Sequence, residues 1–147
     1  MASTKLGDIP GARFHAPHVA THASVASNGA VARLGPIGPF AHDIRVRSAW
    51  WTPTGADNSI TATNVSASYR VLSLVNGGTT GTGTTVVASL VNTATAASLA
   101  PIAMTVVTTA TVASGAILYF SQATVGGALA DGTTLAAGAF SVAFEVI

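Results

Sequence analysis

Two β-rich segments at the centre of the chain, residues 69–75 and 84–91, flank a glycine-rich stretch at residues 76–83. Val and Leu are frequent in the two segments, which also contain Thr and one Tyr, so the pattern predicts an antiparallel hairpin with a long tip. Both segments carry apolar residues on both faces, whereas a strand with one face in water needs them on only one. We therefore expect the second face to be covered, either by a second sheet or by another copy of the chain.

Alternating apolar and polar residues predict further strands on both sides of this hairpin. In the first, residues 44–51, the alternation makes Val46 and Ser48 face one way and Arg47 and Ala49 face the other. The remaining strands are expected at residues 102–107, 116–125 and 139–147.

The last of these strands has the clearest period of two, with Ser141, Ala143 and Glu145 on its polar face. At least six strands, with glycine-rich turns between them and no helical pattern, predict an all-β protein. The expected architecture is a single jelly-roll or Greek-key-like β-sandwich or barrel.

Residues 1–42 differ in composition from the rest of the chain. Four of the six prolines fall within them, and Gly, Ala, Ser and His are frequent. Proline prevents regular helix and inner-strand pairing, and the apolar content is too low for a separate core. We therefore predict an extended N-terminal arm, residues 1–42, on a β-barrel or sandwich body, residues 43–147. The arm either becomes ordered on a partner or is a solvated terminus.

The chain is poor in charge, which narrows the classes of function. Charged residues are 7% of the chain, against roughly 25% in an ordinary soluble protein. None occurs between Val71 and Ala130, yet Thr, Ser, Gly and Asn interrupt this stretch too often for a membrane span. Such a surface is poorly protected against association, so we expect a stable assembly. With a formal net charge of +1 and no basic run, nucleic-acid binding is set aside.

Candidate catalytic and metal-binding residues are few. The chain has no cysteine, and its four histidines all fall in the arm: His15, His18, His22 and His42. A helical spacing would let three of them share a metal ion, but Pro17 disfavours a helix there, so we expect polar arm residues and no metal site. Residues 48–147 offer three carboxylates, no histidine and no Gly-x-Ser-x-Gly motif. We therefore expect neither catalysis nor a cofactor.

Arg45 and Arg47 share one face of the first predicted body strand, next to Trp50 and Trp51. They form either a solvated face that leads into core aromatics or a docking surface, since Arg and Trp often anchor interfaces. A carbohydrate-binding module would instead use exposed aromatics, for which Trp50, Trp51 and Tyr119 are the candidates.

Three stretches of the body resemble a known family. They are AWWTPTGADN at residues 49–58, SYRVLSLVNGGTTGTGTTVVASL at residues 68–90 and VASGAILYFSQATVGGALADG at residues 112–132. Together with the closing β-strand, they resemble the small head-decoration (capsid cement) proteins of tailed bacteriophages, especially those of actinobacterial hosts. The shared features are turn and strand patterns without a catalytic signature.

The resemblance implies a β-barrel or jelly-roll homotrimer on the outer surface of a shell of HK97-like major capsid protein. The apolar second faces would meet around a threefold axis, and the arm would lie along the shell. The residues assigned to the capsid contact are Phe14, His15, His18, His22, Arg33, Phe40, Arg45 and Arg47, and the candidate surface platform is Trp50 with Trp51.

The implied protein stabilises a shell and contacts neither nucleic acid nor membrane. The first ten residues lack the apolar core of a secretory signal, so we expect synthesis in the host cytoplasm and residence in the virion. A tail or fibre component and a carbohydrate-binding, host-adhesion module are the alternatives.

Overall fold

The computed structural model describes residues 18–22, 25–26, 32–55, 69–92, 99–125 and 134–147. These residues form twelve β-strands, and there is no helix among them. The strands are β1 (His18–His22), β2 (Val25–Ala26), β3 (Ala32–Ile37), β4 (Ile44–Pro53), β5 (Tyr69–Gly78), β6 (Thr85–Asn92), β7 (Ile102–Ala103), β8 (Thr105–Val106), β9 (Thr111–Val112), β10 (Ile117–Val125), β11 (Thr134–Leu135) and β12 (Gly138–Val146).

Ten of these strands form two five-stranded antiparallel sheets. The first, termed the β4 sheet, has the order β1-β12-β4-β7, and β9 also pairs with β4. The second, termed the β5 sheet, has the order β3-β10-β5-β6-β8, while β2 and β11 pair separately. The prediction of an all-β sandwich or barrel is confirmed. The finer jelly-roll or Greek-key assignment stays a prediction.

The predicted central hairpin is confirmed as β5 and β6. Its register joins Leu72 to Leu90 and Leu74 to Ala88. This face is turned to the interior, where Leu72, Leu74 and Ala88 are buried. The β4 sheet thus covers one face of the hairpin, and the other face lies on the outside of the β5 sheet.

The interior lies between the inner faces of the two sheets. Trp51 and Phe140 come from the β4 sheet, Leu118 and Phe120 come from the β5 sheet, and all four are fully buried. Phe120 and Phe140 stack with their ring centroids 3.5 Å apart and their planes at 12°. Because the two rings belong to different sheets, this aromatic contact joins the sheets directly.

Residues 102–107, predicted as one strand, instead form two short strands in different sheets. β7 pairs with β4, and β8 pairs with β6. Between them, the Met104 amide donates a hydrogen bond to the Ala49 carbonyl at 2.8 Å, and the Met104 side chain is buried. The chain therefore crosses from one sheet to the other here. Alternation of apolar residues predicts a strand but does not say which sheet it joins, so the single-strand prediction is wrong.

A β-bulge interrupts the pairing of β4 with β12. Val46 pairs with Phe144, and Ser48 pairs with Ala143, so Arg47 is an extra residue in β4. An extra residue shifts by one the alternation of every residue that follows it.

The bulge reverses the predicted directions of the residues after it. Sequence alternation placed Ala49 on the polar face, but Ala49 is buried. Trp51 is fully buried, whereas Trp50 is 40% exposed. The assignment of Trp51 to a surface platform is therefore wrong, because the shifted strand turns its indole into the core.

Parts of the arm are edge strands of the two sheets. β1 pairs with β12 at an edge of the β4 sheet, and β3 pairs with β10 at an edge of the β5 sheet. Pro36 lies within β3, where an edge strand tolerates the missing amide. At Gly35, which has a φ of 50°, an added Cβ would lie 2.8 Å from the Ala20 Cβ, so β1 and β3 pack closely. The described part of the arm thus lies against the body, and the boundary at residue 42 stays a prediction.

Phe40 belongs to the core. Its ring meets that of Phe144 edge to face with centroids 5.2 Å apart, and both side chains are buried. Its amide donates to the Ala116 carbonyl, and its carbonyl accepts from the Gly115 amide. The assignment of Phe40 to the capsid contact is therefore wrong, because the ring is not available to a partner.

The aromatic contact between the sheets gives a first prediction. Phe120→Ala and Phe140→Ala should each lower the free energy of unfolding by about 3 to 5 kcal/mol. With the milder Phe→Leu changes, a double-mutant cycle should give a coupling energy of about 0.5 to 1.5 kcal/mol. Urea denaturation measures both quantities. Val19→Ala, at an exposed site, serves as the control and should change stability by no more than about 0.5 kcal/mol. If the destabilisations caused by the two Phe→Leu changes simply add in the double variant, the stacking interaction is contradicted.

Candidate docking surfaces

The outer face of the β4 sheet carries the exposed tryptophan. Across three neighbouring strands, Trp50 pairs with Ser141, and Ser141 pairs with Val19. Trp50 is 40% exposed and Val19 is 60% exposed. An indole and an isopropyl group with a small serine between them make a shallow, partly apolar surface.

Two arginines and a glutamate lie on the same outer face, nearer the start of β4. Glu145 pairs with Arg45 across the two strands. Its Oε1 atom lies 3.5 Å from Arg45 Nη1 and accepts a hydrogen bond from Arg47 Nη2. The side chain of Glu145 is 7% exposed, whereas those of Arg45 and Arg47 are 34% and 42% exposed. The carboxylate is covered, and both guanidinium groups reach the surface.

This outer surface is termed the charged face; it comprises Val19, Arg45, Arg47, Trp50, Ser141 and Glu145. Among these six residues one carboxylate faces two guanidinium groups, so they carry a net positive charge. Asp43, two residues before Arg45, instead accepts a hydrogen bond from the Ser114 amide at 2.7 Å. Removing the partners of a buried carboxylate is strongly destabilising, whereas exposed ion pairs contribute little. Glu145 therefore acts mainly to hold the two arginines in place.

The outer face of the β5 sheet has one described charge, Arg33, at its β3 edge, where Arg33 pairs with Ser121. Beyond Arg33, the same row across β10, β5, β6 and β8 consists of Ser121, Ser73, Ser89 and Thr105. The part of this face without Arg33 is termed the uncharged face; its residues are Val71, Ser73, Val86, Ser89, Val91, Thr105, Val107, Ser121 and Ala123. The valines at positions 86, 91 and 107 are exposed.

The tip of the central hairpin, residues 79–84, folds back over one end of the uncharged face. The Tyr119 hydroxyl donates to the Gly83 carbonyl at 2.8 Å. Arg33 Nη1 donates to the Gly81 carbonyl at 2.6 Å, and the guanidinium carbon lies 4.9 Å from the centroid of the Tyr119 ring. A side chain from the arm thus holds the tip of a body hairpin.

Four of the predicted contact residues come from the histidine-rich part of the arm. Phe14 and His15 lie outside the described residues. His18 and His22 are the first and last residues of β1, where they pair with Val142 and Gly138. The roles assigned to these four residues stay predictions.

The three arginines assigned to the capsid contact lie in two different sheets. Arg45 and Arg47 lie together with Trp50 on the charged face, a placement that fits both the solvated-face and the docking interpretation, so their capsid-binding roles stay predictions. Arg33 is not near them, because β3 belongs to the β5 sheet and its side chain is engaged with the tip.

Sequence analysis did not assign three residues of the charged face to a site: Val19, Ser141 and Glu145. Of these, Glu145 has the largest effect on the chemistry of the face. The alternation of β12 predicted only that it lies on a polar face. Its partner Arg47 is 98 residues away, and no local pattern pairs two positions so far apart. Val19, in the arm, carried no signal either.

The aromatic platform of a carbohydrate-binding module is not assembled. Trp51 and Tyr119 are buried, and Trp50 alone of the three candidates is exposed. The Tyr119 hydroxyl is already bonded to the tip.

Within the described ranges, no three His, Cys, Asp or Glu side chains lie close enough together to hold a metal ion. The described residues include no helix that is long and apolar enough to cross a membrane.

Tryptophan fluorescence can distinguish the buried Trp51 from the exposed Trp50, because the chain has only two tryptophans. In Trp51→Phe the remaining Trp50 should emit at longer wavelength and be quenched readily by acrylamide. In Trp50→Phe the remaining Trp51 should emit at shorter wavelength and be quenched several-fold less. Trp50→Phe, at the exposed site, should change stability by no more than about 0.5 kcal/mol. Equal quenching in the two variants would contradict the bulge at Arg47, which turns Trp51 inward and Trp50 outward.

The contact between Arg33 and the tip predicts a local change in dynamics. Arg33→Ala should speed amide hydrogen exchange in residues 79–84 about tenfold, since a hydrogen bond from a charged group contributes about 1.5 to 3 kcal/mol. Tyr119→Phe removes only the hydroxyl and should give a smaller effect. Residues 139–146 provide the internal control and should exchange as in the wild type. Unchanged exchange in the tip would mean that Arg33 does not hold it.

No family model matches the chain, and neither a curated protein nor a solved structure matches it.

Proposed function

We propose that the chain is a virion structural protein that binds the outer surface of a phage capsid, as a homotrimer, and stabilises the shell. The observation that carries this proposal is the difference between the two outer faces. A decoration protein that forms oligomers must contact both its own copies and a different protein. An uncharged face and an arginine and tryptophan face, on opposite sheets, suit these two kinds of contact.

The uncharged face is suited to contact with further copies of the chain. Its exposed valines at positions 86, 91 and 107 gain from burial. The serine and alanine side chains between them are small, so another sheet could approach to about 10 Å, the usual distance between packed sheets. Copies that approach one another through this face also do so without like-charge repulsion between its residues.

The charged face is suited to contact with the major capsid protein, which we propose is HK97-like. Arg and Trp are the residue types that most often dominate the energy of an interface. No chemical step is needed for stabilisation. A protein that binds the assembled shell but not its dissociated subunits shifts the equilibrium toward the shell by mass action.

Co-sedimentation with undecorated shells of phages with actinobacterial hosts tests the proposal. We expect the protein to saturate the shells at a fixed ratio to the capsid subunit that is compatible with trimers at threefold positions. Decorated shells should also dissociate at a higher temperature than bare ones. Shells already saturated with their own decoration protein are the control and should take up none. Binding to none of the related shells, or to tails alone, would contradict the proposal.

The contribution of the arm is tested separately. Removing residues 1–40 would delete β1, β3 and the buried Phe40, so it would disturb both sheets. Removing residues 1–16 leaves every described strand in place. If the arm lies along the shell, this shorter deletion should weaken shell binding while thermal unfolding of the free protein is unchanged; undiminished binding would contradict the arm contact.

A further inference from the structure

We infer that the charged face binds a protein surface that presents a carboxylate beside an apolar side chain. Arg45 and Arg47 would hold the carboxylate, and Trp50 would contact the apolar group. The inference rests on the proposed function, in which this surface belongs to the capsid shell, and it adds the chemistry by which the shell is recognised.

The charged face carries two guanidinium groups for one carboxylate. Both contact the same oxygen, Glu145 Oε1, and the side chain of Glu145 is 7% exposed. A guanidinium group has five N–H donors and pairs best with a carboxylate through two of them. The side chains of Arg45 and Arg47 are 34% and 42% exposed, so their outward donors are open to a second carboxylate, whereas the buried Arg45 Nε atom is not.

The positive charge also disfavours the charged face as a contact between copies of the chain. In a homotrimer whose charged faces met around the threefold axis, the arginines of neighbouring copies would be brought toward one another. Like charges brought together in an interface cost several kcal/mol. The uncharged face offers copies of the chain a contact without this penalty. The charge pattern thus favours a different, acidic partner for the charged face.

The size of the charged face favours several copies acting together. From Arg45 to Trp50, six residues of β4 span about 20 Å, and three strands at about 4.8 Å spacing are about 14 Å wide. One charged face thus offers about 280 Å² of sheet, which is less than the roughly 800 Å² per partner of a standard interface. Three faces in a trimer would together reach about that area and raise the effective concentration of each remaining contact once one has formed.

Shell co-sedimentation of matched charge variants tests the inference. Arg47→Gln and Thr84→Glu each lower the net charge by one, but exposed Thr84 lies on the tip, away from the charged face. We expect Arg47→Gln to weaken shell binding about tenfold, the effect of losing one charged hydrogen bond. Trp50→Ala should weaken it by a similar factor, and Thr84→Glu should bind as the wild type does. Circular dichroism and thermal unfolding identify any variant that fails to fold.

Cross-linking tests the carboxylate directly and does not depend on an affinity. Arg47→Lys keeps the charge and places a primary amine on the charged face, and Thr84→Lys places one on the tip. A carbodiimide joins an amine to an adjacent carboxylate as an amide, and the reagent takes up the water released. We expect Arg47→Lys to cross-link to an Asp or Glu of the shell subunit, mapped by mass spectrometry. Thr84→Lys should give only the background from Lys5 and the N-terminus, which both variants share.

The outcomes separate the two proposals. If the wild-type protein binds no shell, the proposed function is wrong and this inference falls with it. If the wild type binds but Arg47→Gln and Trp50→Ala bind equally well, and no cross-link forms at position 47, the inference is wrong and the proposed function stands. If Arg47→Gln changes the oligomeric state without shells, the charged face is a contact between copies, which also overturns the inference.

Discussion

The pairing of β4 with β12 is the constraint on which both the core and the charged face depend. The bulge at Arg47 fixes the phase of β4, so Trp51 enters the core beside Phe140 while Trp50 stays outside. A shift of one residue would bury an arginine or expose the largest core side chain, and each of these costs several kcal/mol. The same pairing places Glu145 opposite Arg45. One strand pair therefore sets the hydrophobic interior and the exposed chemistry together.

The alternation of residues predicted most of the fold because a strand with one buried face must have a period of two. β12 is clear in the sequence for this reason, and the central hairpin is clear because two β-rich segments flank a glycine-rich stretch. The phase of β4 was not predictable, since a bulge is an extra residue without a distinctive side chain. The separation of residues 102–107 into two sheets, and the pairing of Glu145 with Arg47, depend on contacts between distant segments. Local patterns contain no information on such contacts.

The low charge content gives the position of each described charge more weight than it would have in an ordinary protein. On the charged face, burial of Glu145 under two arginines stabilises their arrangement and still leaves a positive surface. Arg33, by contrast, is used within the chain, where it holds the hairpin tip against Tyr119. The sequence shows these arginines as similar polar positions. Only the sheet to which each strand belongs distinguishes a side chain that stabilises a loop from one that is available to a partner.

The sheet edges explain why association is expected through faces. A long, exposed edge strand invites uncontrolled pairing with other chains, and a chain with few charges has little electrostatic protection against it. Here β3 includes Pro36, which removes one donor from its edge, and at the opposite sides β7, β8 and β9 are only two residues each. Short or proline-containing edges offer few hydrogen bonds to an incoming strand. We therefore propose that the chain meets its partners through side chains on the two outer faces, and that the difference in charge between the faces distinguishes those partners.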